Sequence, residues 1–260
     1  MTSSIGIIGV GEIASACVDG LCARPDHPRF FLSPRTAERA ARLAEAHDRV
    51  EVCASNQEVV ESSEMIVLSV LPGQVGSVLA DLDIPGDRTV VSAVAGVSTE
   101  ALTPLLPHDP TLVRVIPLPA VRERRGVTAV FPAHPATEEI FDSLGGTVVA
   151  ADEAQFSTLS AATATMSAHF AFLTGIADWL EAQGWSRADA EHFVRGEFGG
   201  LATALEDPNT SLSDLIPAHE TPGGLNEMLR AEWMDEDNRA RLARALDHVH
   251  ERVTGSSTSG

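Results

Sequence analysis

Along the first 150 residues, short apolar runs alternate with amphipathic ones. Eight runs have the length and composition of strands: SIGIIG (4–9), RFFLS (29–33), VEVC (50–53), MIVLSV (65–70), RTVVSAV (88–94), TLVRVI (111–116), VTAVF (127–131) and TVVA (147–150). The stretches between the early ones begin with helix signals: Ser55 stands before NQEVVES, and Pro72 opens GQVGSVLADL. Strands separated by about ten to fifteen helical residues predict βαβ units and a parallel sheet. The unbroken apolar character of MIVLSV fits a strand covered on both faces. The predicted fold class of this part is therefore α/β, with a doubly wound, mostly parallel sheet.

After Asp152 the period changes. From 153 to 183 there is no proline and no strand-like alternation, and Leu159, Ala162, Met166, Phe170, Leu173 and Ile176 recur at helical spacing. Further helices are predicted at 187–205, 224–233 and 236–252. Pro222-Gly223-Gly224 reads as a sharp turn that delivers a helix N-terminus to a chosen place. There is no solenoid repeat. The organisation expected is a nucleotide-binding domain at 1–151, an all-helical domain at 152–254 and a polar, flexible tail at 255–260.

Composition narrows the function. No apolar run is long enough to cross a membrane, and no basic segment precedes the first apolar run, so a secretory leader is not expected. Cys17, Cys22 and Cys53 lack metal-ligand spacing, so reduced thiols in a cytoplasmic protein without a metal site are expected. The formal charge is −19, from 37 acidic and 18 basic residues, and this field disfavours a nucleic-acid partner. All the basic residues are arginines, and there is no tyrosine. The chain therefore has neither a lysine for a Schiff base nor a tyrosine as proton donor. The expected partner is a small molecule.

IGIIGVGEIA holds Gly9-x-Gly11-x-x-Ala14 between an apolar strand and the helix EIASACVDGLCA. This is the context of a Rossmann dinucleotide loop: Gly9 for the tight turn, Gly11 for close approach of a pyrophosphate, Ala14 for helix–strand packing. Glu12 and Ile13 open the helix, whose dipole favours phosphate. Roughly 20 residues on, an NAD site would carry an acid against the ribose 2′-hydroxyl. Here the chain reads Leu32-Ser33-Pro34-Arg35-Thr36. The Ser33 hydroxyl and the Arg35 fork suit a 2′-phosphate, so NADPH (NADP) is the expected cofactor and NADH the alternative.

These motifs, taken in order, resemble the pyrroline-5-carboxylate reductase family over most of the chain. IGIIGVGEIA is similar to the family's opening, FFLSPRTAERAARLA to its second strand and helix, IVLSVLPGQ to the loop after its fourth strand and VVSAVAGVS to its fifth strand. VRVIPLPA and Pro222-Gly223-Gly224 resemble two further family motifs. The resemblance implies a Rossmann domain, a helical domain that forms a homodimer or larger homo-oligomer through interlocked helices, and hydride transfer from NAD(P)H to a cyclic imine in proline biosynthesis. It also implies that Val70, Leu71, Pro72, Ala95 and Gly96 line the nicotinamide side.

The departures fall in the substrate half. Pro117-Leu118-Pro119 lacks the family's Asn-Thr, and Met166-Ser167-Ala168-His169-Phe170 stands where a Ser-Gly-Ser-Gly-Pro stretch would open the long helix. Leu225-Asn226 replaces two threonines. Ser167, His169 and Asn226 are therefore the candidate substrate-binding or catalytic residues, since histidine is the type that exchanges a proton near neutral pH. Each also has a plain structural explanation: a packed histidine, a helix hydroxyl bonded to its own backbone, an N-terminal-turn residue. Arg122, Arg124 and Arg125 form a basic cluster that could meet a substrate carboxylate or a partner subunit's acids. Three functions stay open: the family's own reaction; reduction of a different imine or carbonyl, including with a deazaflavin; and a catalytically silent NADPH-binding module.

Overall fold

All eight apolar runs become strands of one sheet in the computed structural model, which describes residues 2–255. They are β1 (Ser4–Ile8), β2 (Arg29–Leu32), β3 (Val50–Val52), β4 (Met65–Leu68), β5 (Thr89–Ser92), β6 (Thr111–Ile116), β7 (Thr128–Phe131) and β8 (Thr147–Val149). The order is β3-β2-β1-β4-β5-β6-β7-β8. Strands β1 to β6 run parallel; β7 lies antiparallel to β6, and β8 parallel to β7. The first six follow the doubly wound Rossmann order, which changes direction between β1 and β4.

Helices α1 (Glu12–Cys22), α2 (Ala37–Ala46), α3 (Asn56–Glu61), α4 (Val75–Ala80), α5 (Thr99–Leu102) and α6 (Pro135–Asp142) alternate with the strands. One core joins Ile5, Ile7 and Met65 to Val18 of α1, Leu43 of α2 and Phe141 of α6. The other joins Ile8, Ile66 and Leu68 to Val59 of α3, Val75 and Leu79 of α4 and Leu102 of α5. Alternate residues of β1 and β4 thus serve opposite layers, which is why MIVL is apolar throughout and buried at every position. Each such side chain contributes about 1.5–3 kcal/mol on leaving water.

At β6 the core admits a charge. Arg114 is buried, lies 4.5 Å over the Phe156 ring and donates to the Glu153 carboxylate. Burial lowers the Arg114 pKa, and the Glu153 charge opposes that shift. Glu153 begins α7 (Glu153–Ala162) and also accepts the Thr99 backbone N–H at 3.1 Å.

The chain divides into two compact units, Met1–Ser160 and Ala161–Gly260. The second contains α8 (Thr165–Ala182), α9 (Arg187–Leu201), α10 (Leu212–Ala218), α11 (Leu225–Trp233) and α12 (Glu236–Val253). The helix expected over 187–205 is α9 followed by a 3₁₀ turn, Ala202–Glu206. Helix α10 was not among the expected helices. Pro217 falls near the end of this short helix, which Ser211 starts by accepting the Asp214 N–H at 3.1 Å. Within this unit α8 and α9 meet through Ala177, Ala190 and Val194. Arg187 of α9 joins them by its bond to Asp178 of α8, and at 2.8 Å it also pairs with Glu191 one turn along its own helix. Of the tail expected to be flexible, only Gly255 lies within the described residues.

Candidate functional site

Past the carboxyl ends of β1, β2, β4 and β5 lies a cleft of about 500 Å³. Its floor is the turn between β1 and α1. Gly9 has φ +96°, and a β-carbon there would come within 2.4 Å of the Ser69 carbonyl oxygen, so no other residue fits. Gly11 is the N-cap of α1, and a β-carbon on it would meet no atom within 4 Å. The space that such a carbon would fill is open cleft. Gly11 also has no side chain to cap the helix, so the N–H groups of the first turn face an anion site with the dipole behind them. These residues fit a dinucleotide pyrophosphate.

Gly9, Gly11, Glu12, Ile13, Ser33, Arg35, Val70, Leu71, Pro72 and Ala95 all line this cleft. Ala14 is buried beneath it in the helix–strand core, and Gly96, with φ +69°, turns the chain after β5. Ser33 is buried, and its Oγ accepts the Gly9 N–H at 3.0 Å, so it braces the glycine turn. Arg35 is exposed, and among the described residues no carboxylate pairs with it. Glu12 carries a charge into the cleft wall; its hydrogen bond from Arg122 holds the carboxyl below the usual range. That bond also corrects the reading of the basic cluster: Arg122 is engaged within its own chain, by Glu12 and Asp19.

Sequence reasoning missed Asn56, Ser69 and Gln74 on the same walls. A signal for Asn56 was present. Ser55 caps α3, accepting the Glu58 N–H at 3.1 Å, which sets Asn56 at the helix start just beyond β3. Ser69 carries no signal of its own and follows only from the register of β4.

The three residues expected at the substrate all lie in the helical unit. Ser167 and His169 are exposed on α8, and the His169 ring lies 6.1 Å, edge-on, from Phe198. Together with Phe170, Leu173, Val194 and Phe198, His169 lines a groove of about 440 Å³ along α8 and α9. Asn226 is exposed at the start of α11, and its amide nitrogen donates to the His219 carbonyl at 2.7 Å. Its amide therefore braces the turn. In that turn Gly223 has φ +71°, and the Glu227 carboxylate reaches back to the Gly223 N–H at 2.6 Å. An ion pair, Arg230 to Glu220 at 2.5 Å, clasps α11 to the loop before it.

Two family models match the chain. One, described as NADP oxidoreductase coenzyme F420-dependent, covers residues 4–96; the other, described as pyrroline-5-carboxylate reductase dimerisation, covers 153–255. The pyrroline-5-carboxylate reductase of Escherichia coli is 26% identical over 242 residues, 88% of this chain and 85% of that protein. The crystal structure of 1-pyrroline-5-carboxylate reductase from Streptococcus pyogenes shares the fold at TM-score 0.80 and 24% identity, covering 97% of this chain and 98% of that one. A Plasmodium falciparum pyrroline carboxylate reductase structure with NADP bound shares it at TM-score 0.76 and 17% identity, covering 98% of each chain.

Proposed function

This chain belongs to the pyrroline-5-carboxylate reductase family, and from that premise we propose that it reduces a cyclic imine, pyrroline-5-carboxylate or a close relative, with NADPH. The observation that carries the reading is the open N-terminus of α1 behind Gly11, beside an Arg35 that no acid among the described residues neutralises. Arg35 supports NADPH over NADH, because a guanidinium matches a 2′-phosphate and an acid in its place would favour the free hydroxyl.

A bound dinucleotide would supply the hydride. The chain's part is positioning. The first turn of α1 would hold the pyrophosphate by its N–H groups, and Gly11, without a β-carbon, would let it approach, while Gly9 permits the tight turn. Val70, Leu71, Pro72 and Ala95 would give the nicotinamide end a wall of apolar and small side chains. Ser167, His169 and Asn226 are assigned to the substrate's polar groups, with His169 as the proton-exchanging residue.

The helical unit is assigned to homodimerisation. Alongside its match to a dimerisation model, only a few apolar side chains are buried between its own helices, while Phe170, Trp179, Phe193, Leu212 and Leu225 are each more than 60% exposed. Such a surface calls for a second copy. The free thiols Cys17, Cys22 and Cys53 support a reducing, cytoplasmic setting.

The test follows NADPH absorbance with pyrroline-5-carboxylate and then with a panel of imines and ketones. Oxidation of NADPH by a cyclic imine is the expected result. Cofactor binding with no turnover on any of them would make the protein a silent dinucleotide-binding module.

A further inference from the structure

We infer that Arg122 is a positioning residue of the dinucleotide site: it draws the Glu12 carboxylate along the flank of α1 and neutralises it, so that the helix N-terminus stays open to pyrophosphate. The inference rests on the dinucleotide reading above.

Glu12 is the first residue of α1 and lines the cleft beside Gly11 and Ile13. A carboxylate at a helix N-terminus is favourable by itself, because the dipole attracts it. For the same reason it competes with a phosphate for the same N–H groups and repels it. Protonation does not relieve the conflict, since the pairing with Arg122 keeps Glu12 ionised well below neutral pH. Arginines relieve it instead. Arg122 Nη2 donates to Glu12 Oε1 at 2.8 Å, and Arg39 Nη2 lies 3.7 Å from Glu12 Oε2.

Arg122 is held for this purpose from its other side. Its Nε donates to Asp19 Oδ2 at 3.2 Å. Asp19 is seven residues from Glu12, two helical turns along the same face of α1. Asp19 is itself fixed by His47, whose Nε2 lies 2.8 Å from its Oδ1. One guanidinium therefore spans both acids. It can do so because the 3₁₀ turn Pro119–Val121 lies directly on α1: a β-carbon on Gly20 would stand 2.2 Å from the Val121 carbonyl oxygen. The Pro117-Leu118-Pro119 segment leads into this turn, and the arginine follows it.

The experiment is a calorimetric titration of NADP⁺ into the unmodified protein, Glu12→Gln, Arg122→Ala and the double variant, at low and high salt. Arg122→Ala should weaken binding by about fivefold, the scale of a partly exposed ion pair. The double variant should recover that loss, and high salt should shrink the Arg122→Ala penalty. Glu12→Gln alone, which keeps Arg122 on Asp19, should bind at least as tightly as the unmodified protein, and more tightly at low salt. Should Arg122→Ala fail to fold, the Glu12→Gln comparison decides. Unchanged affinity in Arg122→Ala, a double variant as weak as Arg122→Ala, or Glu12→Gln no tighter at low salt would each overturn the inference. No binding of NADP⁺ by the unmodified protein would instead remove the dinucleotide reading on which it stands.

Discussion

Single residues in the cleft differ in how much of their role could be read from their neighbours in sequence. Gly9 and Gly11 were legible because each answers a local demand: one a positive φ under the Ser69 carbonyl, the other an open approach to the helix end. Gly9→Ala should abolish cofactor binding and lower stability, since the clash is with backbone and no side-chain rotation relieves it; NADP⁺ titration and urea unfolding measure both. Arg35→Ala should weaken NADP⁺ binding by about tenfold while leaving NAD⁺ binding nearly unchanged, the loss of one charge-assisted contact. A preference for NADH in the unmodified protein would defeat that assignment. Arg114 was hidden inside an apolar strand pattern, because its partner Glu153 lies 39 positions later. Arg114→Met should cost about 2 kcal/mol in urea unfolding, the scale of a hydrogen bond to a charged group. Ser33 and Asn226 show the opposite case. Their hydroxyl and amide looked free for a ligand, and both turn out to brace backbone, at Gly9 N–H and the His219 carbonyl.

At the scale of elements, the strands and most helices were legible because their signals are short-range. The eight apolar runs became the eight strands, Ser55 marked a helix start as expected, and Pro72 opened a 3₁₀ turn, Pro72–Gln74, that leads into α4 at Val75. Helix α10 was not legible, since a proline in a short helix cannot be told from a terminator until the chain's path is known. The Pro222-Gly223-Gly224 turn did precede a helix, and its geometry demands glycine: Gly223→Ala should cost about 1 kcal/mol through its φ of +71°. The i,i+4 pair Arg187–Glu191 within α9 has a pH signature. Arg187 lowers the Glu191 pKa by hydrogen bonding, so the pair's contribution is complete above the ordinary carboxylate range and is lost as pH falls through the lowered value. The melting-temperature gap between the unmodified protein and Arg187→Gln should therefore be largest above about pH 5 and close in stronger acid.

For the molecule as a whole, the exposed aromatic and aliphatic side chains of the helical unit set the expectation. Sedimentation should give twice the 27.5 kDa chain mass, with a melting temperature that rises with protein concentration. Phe170→Asp, which places a charge in that surface, should shift the mass toward a single chain. A monomer at all concentrations in the unmodified protein would reject the dimer.

What the sequence determined by itself are the features that nearby residues decide: strand and helix periods, the glycine loop after β1, the absence of lysine and tyrosine, and the change from α/β to all-helical after Asp152. Tertiary structure alone decided which distant groups meet. It set Arg122 between Glu12 and Asp19, 110 and 103 positions away, and Glu153 against both Arg114 and Thr99. The reason is physical. Torsional preference and hydrophobic period act within a few residues, whereas a guanidinium's partners follow from how strands stack and where a turn comes to rest on a helix.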